Sequence, residues 1–359
     1  MTETRGQTPA PAPDAPEHAW LARRPLRLGT RRSALALAQS GQIAETLRAR
    51  LGRPVELVEI VTEGDRSQVA ISQIGGTGVF VSALRDALLA GEIDLAVHSL
   101  KDLPTATPAG LVLAAVPPRA DTRDVLVSPG GRTLAELGPD ARVGTGSPRR
   151  AAQLRALGHG FEVVPIRGNV DTRIKKAIDG EVDAVVLAHA GLARLDRLDA
   201  VTEVIPPEVI LPAPGQGALA IECARTSAAG PASDQAGPDR GRGIDGGLAE
   251  LLRFVLDDAS SSVAVRAERA FLAGIEAGCT APVGALAQVL PGAGSHPDTR
   301  GDGAPAVGGI RLRAVVSAPD GGRVLRRELT GSAVDPEALG QRLADELLSA
   351  GAHTLMGTS

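Results

Sequence analysis

The sequence predicts an α/β protein: two similar domains with mainly parallel sheets, followed by a small α+β domain. Three observations predict this. The chain has 359 residues, enough for two or three domains with cores of their own. One strand–turn–helix–strand plan occurs twice along it. After the second copy the pattern changes to a helix, an extended hairpin and a closing helix, which reads as α+β.

The first copy opens with RLGTRRSALALAQSGQIAETLRARLG (27–52), read as strand, turn and helix, and continues into the strand VELVEIVTEGD (55–65). The second opens with RVGTGSPRRAAQLRALG (142–158) and continues into FEVVPIRGNVDTR (161–173). Each then adds a helix and a strand, ALRDALLAGEIDLAVHSL (83–100) and RIKKAIDGEVDAVVLAHAGL (173–192), with AGEIDLAV matching DGEVDAVV. Short apolar strands alternating with helical patterns of roughly 10–15 residues mark βαβ units. VIPPEVILPAPGQGALAIEC (204–223) closes the second copy, and its apolar end is expected to return to the first domain. Residues 225–247 are rich in Gly, Ala, Ser and Pro and read as a mobile insertion. The third unit holds a helix over AVRAERAFLAGIEAG (264–278), the stretch APVGALAQVL, a loop over 291–309, the hairpin IRLRAVVSAPDGGRVLRRELTG and a last helix, DPEALGQRLADELLSAG. The expected division is a disordered extension over 1–24, domain 1 over 25–121 and 213–236, and domain 2 over 122–212. An insertion or linker over 237–258 and domain 3 over 259–359 complete it.

Composition excludes several classes. Hydrophobic residues make up 43% and charged residues 22%, ordinary for a soluble globular chain. No stretch approaches the ~20 apolar residues needed to span a bilayer, so no membrane association is expected. The opening MTETRGQTPAPAPDAPEHAW lacks the apolar core of a secretory signal. Two cysteines, Cys223 and Cys279, make no disulfide framework, and a cytoplasmic location is expected. The net charge of −4 gives no basic field, and with no Tyr, one Trp and four Phe there are few surfaces on which bases could stack. Nucleic acid is therefore not an expected partner. Lysine occurs only at 101, 175 and 176, so Lys101 hints that a compact ammonium is wanted there.

Two motifs sit at matching places. GTRRS (29–33) and GTGSPRR (144–150) each fall where a strand turns into a helix, and Ser147 followed by Pro148 is a strong cap and first-turn pair. A helix start offers free N–H groups and a positive dipole end, and each of these adds two arginines. One such pair alone reads as surface decoration. Two in equivalent positions, with Arg167 and Arg173 of RGNVDTR, point to a cleft that takes phosphate or carboxylate. A third motif, VHSLKDLP (97–104), ends an apolar strand with an ammonium and a carboxylate side by side. Alone it reads as a solvated strand end, but ligands of open α/β sheets bind outside the carboxyl ends of strands. His98 reads as a packed histidine, since no metal-type spacing surrounds it. Cys279 follows a helix and its Gly, where a thiol is not activated for repeated turnover but can form one thioether and keep it.

Taken together, TRRSALALAQ (30–39), VTEGD (61–65), GGTGVF (75–80), AVHSLKDLP (96–104), VGTGSPRRAAQL (143–154), IRGNVDTR (166–173), LPAPGQGALAIEC (211–223) and AERAFLAGIEAGCTAPVG (267–284) resemble the porphobilinogen deaminase (hydroxymethylbilane synthase) family. They stand in family order across roughly residues 26–290. The resemblance implies two periplasmic-binding-protein-like domains, a small third domain, and a dipyrromethane cofactor held by a thioether to Cys279. It implies stepwise head-to-tail condensation of four porphobilinogen molecules, with loss of ammonia, to hydroxymethylbilane. Asp102 would be the catalytic carboxylate. Lys101, Asp102, Thr145, Ser147, Arg149 and Arg150 would hold the cofactor, and Arg31, Ser33, Arg167, Arg173 and Arg194 the substrate. No metal is implied. A monomer that passes its product to a downstream tetrapyrrole enzyme is expected. Two positions depart from the family pattern: Thr77 stands where many members carry Lys, and Thr280 replaces a common Gln. An anion-binding receptor without chemistry is the competing reading; it needs no thiol adduct.

Overall fold

Nearly continuous burial along LRLGT and LAVHS sets two strands side by side at the centre of the first lobe. In the computed structural model, which describes residues 24–61, 81–225, 247–277, 281–290 and 308–356, these are β1 (Leu26–Thr30) and β3 (Leu95–Ser99). Between them lie α1 (Ala34–Leu51), β2 (Val55–Glu59) and α2 (Ser82–Leu89), and β4 (Leu111–Ala115) follows. The Ser33 side chain caps α1 by accepting from the Ala36 N–H, and Gly52 ends it in the left-handed region at φ 61. The helix turns Ile43, Ala44 and Leu47 onto the sheet.

The chain then crosses to a second lobe built to the same plan. It runs β5 (Asp124–Val127), β6 (Arg142–Thr145), α3 (Pro148–Ala156), β7 (Glu162–Pro165), α4 (Val170–Ile178), β8 (Ala184–Ala188), α5 (His189–Arg194) and β9 (Glu203–Ile205). It returns as β10 (Leu219–Ala224), which enters the first sheet, as the apolar end of the PGQG stretch led one to expect. The sheet orders are β2-β1-β3-β10-β4 and β7-β6-β8-β5-β9. In each, β10 or β5 is the visiting strand, antiparallel to both neighbours, and the other four strands share one direction. Both sheets are thus mainly parallel with one reversed strand. The two crossings between the lobes pack tightly: a Cβ on Gly217, at φ 86, would lie 2.5 Å from the Ala120 carbonyl oxygen.

The stretch 237–258, expected to be an insertion or linker, contains α6 (Gly247–Leu256). Leu248, Leu251, Leu252, Val255 and Leu256 on that helix are part of the first lobe's core. An apolar stripe at helical spacing is enough to dock it. The next helix, α7 (Ala259–Gly274), begins five residues before the expected 264, because Asp258 caps it by accepting from the Ser261 N–H. It stops four residues before 278. The antiparallel sheet β11 (Val283–Val289), β12 (Gly309–Ser317) and β13 (Val324–Ser332) follows, then α8 (Pro336–Ser349) and α9 (Ala352–Leu355). Phe271 of α7, Leu312 of β12 and Leu343 and Leu347 of α8 are fully buried in this third core.

Candidate active site

The carboxyl ends of β1 and β3 lie together because the two strands are parallel and adjacent. Beyond Ser99 the chain makes a single 3-10 turn, Leu100–Asp102. Leu100 and Leu103 plug into the core, so the residues between them face outward: Lys101 is half-buried and Asp102 exposed. The Leu100 N–H donates to Ala218 O (3.0 Å), tying the turn to the returning crossing. Gln39 Nε2 of α1 donates to Ser99 Oγ (2.9 Å), so the helix that starts at Ser33 is fastened to the same strand end. Arg31, half-buried, leads into that helix.

Across from this turn stands the equivalent edge of the second lobe. Ser147 caps α3 by accepting from the Arg150 N–H (3.4 Å), Pro148 fills the first turn, and Thr145 Oγ1 accepts from the Ser147 N–H (3.2 Å). Arg149 and Arg150, expected at an open helix start, are drawn inside the lobe. Both grip one fully buried carboxylate: Arg149 Nη1 lies 2.9 Å from Asp124 Oδ2 and Arg150 Nη2 2.7 Å from Oδ1. Gln216 Nε2 adds a third bond to Oδ1 (2.7 Å), and the arginines also donate to Leu211 O (2.6 Å) and Val186 O (3.3 Å). Burial opposes the Asp124 charge, but the two guanidiniums outweigh it and hold the carboxyl well below the usual range. The arginine pair of the first lobe, expected in an equivalent position, stands before its cap Ser33 where Arg149 and Arg150 follow Ser147, and Arg32 is exposed and pairs with Glu59 at 3.2 Å. Duplication has kept the turn and not the pairing.

Lys101 feels both lobes. Burial pushes its ammonium down to about 8; Asp102 and, across the cleft, Asp124 favour the charge, while Arg150 and Arg149 oppose it. Arg173 of α4 approaches the same edge: a Cβ on Gly146 would lie 3.4 Å from its Nη2. Burial, then Arg150, lowers its pKa. Arg194 donates to Gly217 O (2.7 Å) in the crossing, and burial lowers it to about 10. Arg167 lies exposed before α4. The structure thus brings Lys101, Asp102, Arg149, Arg150 and Arg173 to one cleft. Cys279, Thr280 and Thr77, with the GGTGVF stretch and residues 1–23, lie outside the described residues.

The cleft suits a ligand bearing several carboxylates. The Nε atoms of Arg149, Arg150 and Arg173 are buried with no hydrogen-bond partner among the described residues, and the cations here outnumber the carboxylates Asp124 and Asp102. Guanidinium recognises carboxylate in a planar fork. Sequence reasoning missed Asp124 and Gln216, although an Asp heading the apolar run DVLV was a signal. It also missed Glu222 on β10, buried beneath the turn. Arg85 donates to it twice (3.0 and 2.9 Å), and His98 Nε2 lies 3.2 Å away. Burial disfavours its charge, but the nearby His98 and the bonds from Arg85 hold its carboxyl down at about 2. His98 is therefore a packed histidine lying against a buried carboxylate. Among the described residues no group of His, Cys, Asp and Glu could hold a metal ion, and no helix is long and apolar enough to cross a membrane.

A two-lobed α/β protein whose cleft sets a lysine–aspartate turn against a cluster of arginines is, as a class, a binder of polycarboxylate ligands. Residues 26–229 match the family model "Porphobilinogen deaminase, dipyromethane cofactor binding domain", and residues 262–349 match "Porphobilinogen deaminase, C-terminal domain". "Porphobilinogen deaminase 1" of Streptomyces avermitilis is 54% identical over 345 residues, covering 92% of this chain and 97% of that one. "Porphobilinogen deaminase" of Nocardia farcinica is 49% identical over 332 residues, covering 92% and 88%. The Mycobacterium tuberculosis protein of that name is 48% identical over 331 residues, covering 92% and 98%. The chain belongs to the porphobilinogen deaminase family. It is an enzyme of tetrapyrrole biosynthesis that condenses porphobilinogen with loss of ammonia and carries a dipyrromethane-binding domain.

Proposed function

We propose that the condensation of four porphobilinogen molecules to hydroxymethylbilane takes place in the cleft between the lobes, with Asp102 as its catalytic carboxylate. The observation that carries this is the Lys101–Asp102 turn, held at a sheet's carboxyl end against the Arg149–Arg150–Asp124 cluster of the other lobe. Lys101, Arg149 and Arg150 fit the acetate and propionate groups of a dipyrromethane, with Thr145 and Ser147 as neighbouring hydroxyls. When bound, that cofactor supplies the pyrrole α-carbon to which the first substrate unit is joined. Cys279 is the residue we assign to its thioether.

The protein's own groups do the rest. Arg31, Ser33, Arg167, Arg173 and Arg194 receive the carboxylates of incoming porphobilinogen. As its amino group departs as ammonia, positive charge grows on the pyrrole. A carboxylate within hydrogen-bond distance of the ring N–H stabilises that charge and can pass the proton released on coupling. Each charge-assisted hydrogen bond contributes about 1.5–3 kcal/mol, so the arginines share the load of a growing polyanion. A cytoplasmic monomer that hands its product to a downstream tetrapyrrole enzyme completes the proposal.

The test uses Asp102→Glu and Asp102→Asn enzyme whose intact mass shows the bound dipyrromethane. Glu keeps the charge and moves it, and a misplacement of about 1 Å costs roughly 100-fold. Asn keeps an acceptor and loses the charge, which should cost more. Slow but measurable single turnover in Asp102→Glu and nearly none in Asp102→Asn is the expected result. Near-normal chemistry in loaded Asp102→Asn would remove the catalytic role.

A further inference from the structure

The turn that presents Asp102 is short of internal support. Within it, one backbone bond closes the loop, from Leu103 N to Leu100 O (3.0 Å), and Pro104 has no N–H to offer. The three carbonyls that follow Asp102 are all taken by one side chain from the third domain. Arg269 Nη1 donates to Leu103 O (3.1 Å), and its Nη2 donates to Pro104 O (2.9 Å) and Thr105 O (3.0 Å). Arg269 sits on α7, the helix from which the chain proceeds toward Cys279. Its neighbour Glu268, fully buried, accepts from Arg119 at 2.7 and 2.9 Å, from the Gly215 N–H of the returning crossing (2.6 Å) and from the Ala287 N–H of β11 (2.7 Å). Glu268 thereby fixes α7 against the crossing and β11, and the next residue reaches from that fixed point to the turn.

We propose that Arg269 is a positioning residue for the condensation: its guanidinium sets the backbone at 103–105 and thereby where the Asp102 carboxylate stands. The inference rests on the catalytic reading of Asp102 given above. A planar fork can bond three carbonyls at once; a lysine ammonium on a flexible stem cannot reproduce that arrangement. Burial lowers the Arg269 pKa, Glu222 works against that and Arg85 adds to it; a guanidinium stays charged at neutral pH all the same. The clamp borders a crevice of about 570 Å³ lined by Thr105, Val116, Arg253, Asp257, Arg266 and Arg269. Water in that crevice can bond the carbonyls when the guanidinium is removed, so the fold should survive the loss while the turn drifts.

The experiment compares Arg269→Ala and Arg269→Lys with Arg266→Met. Arg266 lies on the same helix, but its side chain is exposed and pairs with Glu337 at 2.5 Å within the third domain. All are purified as holoenzyme, with dipyrromethane confirmed by intact mass. Single-turnover rates at saturating porphobilinogen are measured beside KM. For Arg269→Ala the rate should fall about 10–100-fold, on the scale set by small misplacements of a catalytic group, with KM little changed. Arg269→Lys should fall between, Arg266→Met should match the parent, and millimolar guanidinium ion should restore part of the Arg269→Ala rate. A parental rate in loaded Arg269→Ala, a rise in KM at unchanged rate, or failure of both variants to fold would overturn the proposal. Loaded Asp102→Asn, run in parallel, separates the two claims. If it is inactive while Arg269→Ala is normal, only the clamp fails; if it is itself active, the catalytic reading fails first.

Discussion

Replacing Asp124 by Asn is the most direct probe of how the cleft is built. The amide has the shape of the carboxylate and lacks its charge. Asp124 is fully buried between Arg149 and Arg150, at 2.9 and 2.7 Å, with Gln216 Nε2 also at 2.7 Å. Removing one partner of a buried ion pair costs about 3–5 kcal/mol, because the remaining charge is left without compensation. Both guanidiniums keep a backbone acceptor, Leu211 O or Val186 O, which places the expected loss near the lower end, about 3 kcal/mol. The comparison belongs in a Cys279→Ser background, where cofactor carboxylates cannot take the place of the missing one. Urea unfolding should be followed by far-UV circular dichroism, since the chain has one Trp and no Tyr. The expected result is a lower midpoint at unchanged slope. The pH dependence has a fixed sign. A carboxyl whose folded pKa lies below its unfolded value of about 3.9 stabilises fully above that value, and the contribution is lost as pH falls through the folded one. The difference between parent and variant should therefore stay flat from neutral pH down to roughly 5 and shrink only in stronger acid. A loss below about 1 kcal/mol, no more than a surface pair contributes, would refute the reading of Asp124 as the anchor of both arginines.

Cys279→Ser should fold yet carry little or no thioether-linked dipyrromethane, whereas Cys223→Ser should keep it; mass spectrometry of the peptides decides, and an adduct on Cys223 would reverse the assignment. Cys223 is fully buried, and its thiol is pushed up to about 12 by burial and then by Glu222, a poor state for forming that bond. Arg149→Leu should impair cofactor assembly, while Arg31→Leu should yield loaded enzyme that captures or couples porphobilinogen poorly; loaded Arg149→Leu beside cofactor-free Arg31→Leu would invert that division. Lys101 is one of three lysines, so reductive methylation with a carbon-13 label should resolve its titration in Cys279→Ser protein near pH 8. With the folded pKa below the unfolded value of about 10.4, the unfolded chain holds the extra proton between the two, and this group's contribution to stability rises with pH across that window.

What the sequence discloses about this cleft is what is local. The turn into α1 and the turn into α3 are short strings, GTRRS and GTGSPRR, in which a strand end, a glycine and a capping serine follow within a few residues, and each is where expected. The Lys101–Asp102 turn is legible for the same reason, since two leucines flank the charges and bury on either side of them. The helix α6 is written in the leucine and valine spacing of GLAELLRFVL, but only ten residues long and directly after a Gly- and Pro-rich run, it carries a weaker signal than the longer helices. The partners of the arginines belong to another category. Asp124 stands 26 residues from Arg150 and 92 from Gln216, and Glu268 stands 149 from Arg119. Ionic attraction carries no preferred sequence separation, so no spacing rule could join these residues. A desolvation rule could have found two of the buried carboxylates. Asp124 heads the run DVLV and Glu222 lies inside LAIEC, and a carboxylate within an apolar strand must be met by buried cations or hydrogen-bond donors, or else be protonated. In a chain whose basic residues are nearly all arginine, those partners had to be guanidiniums, histidines or amides brought in by the fold. The arginine count alone therefore overstates the charge open to a ligand. Arg85 and Arg119 answer buried glutamates, and Arg149 and Arg150 share one aspartate, so their positive excess, and not their number, is what the cleft has left to offer.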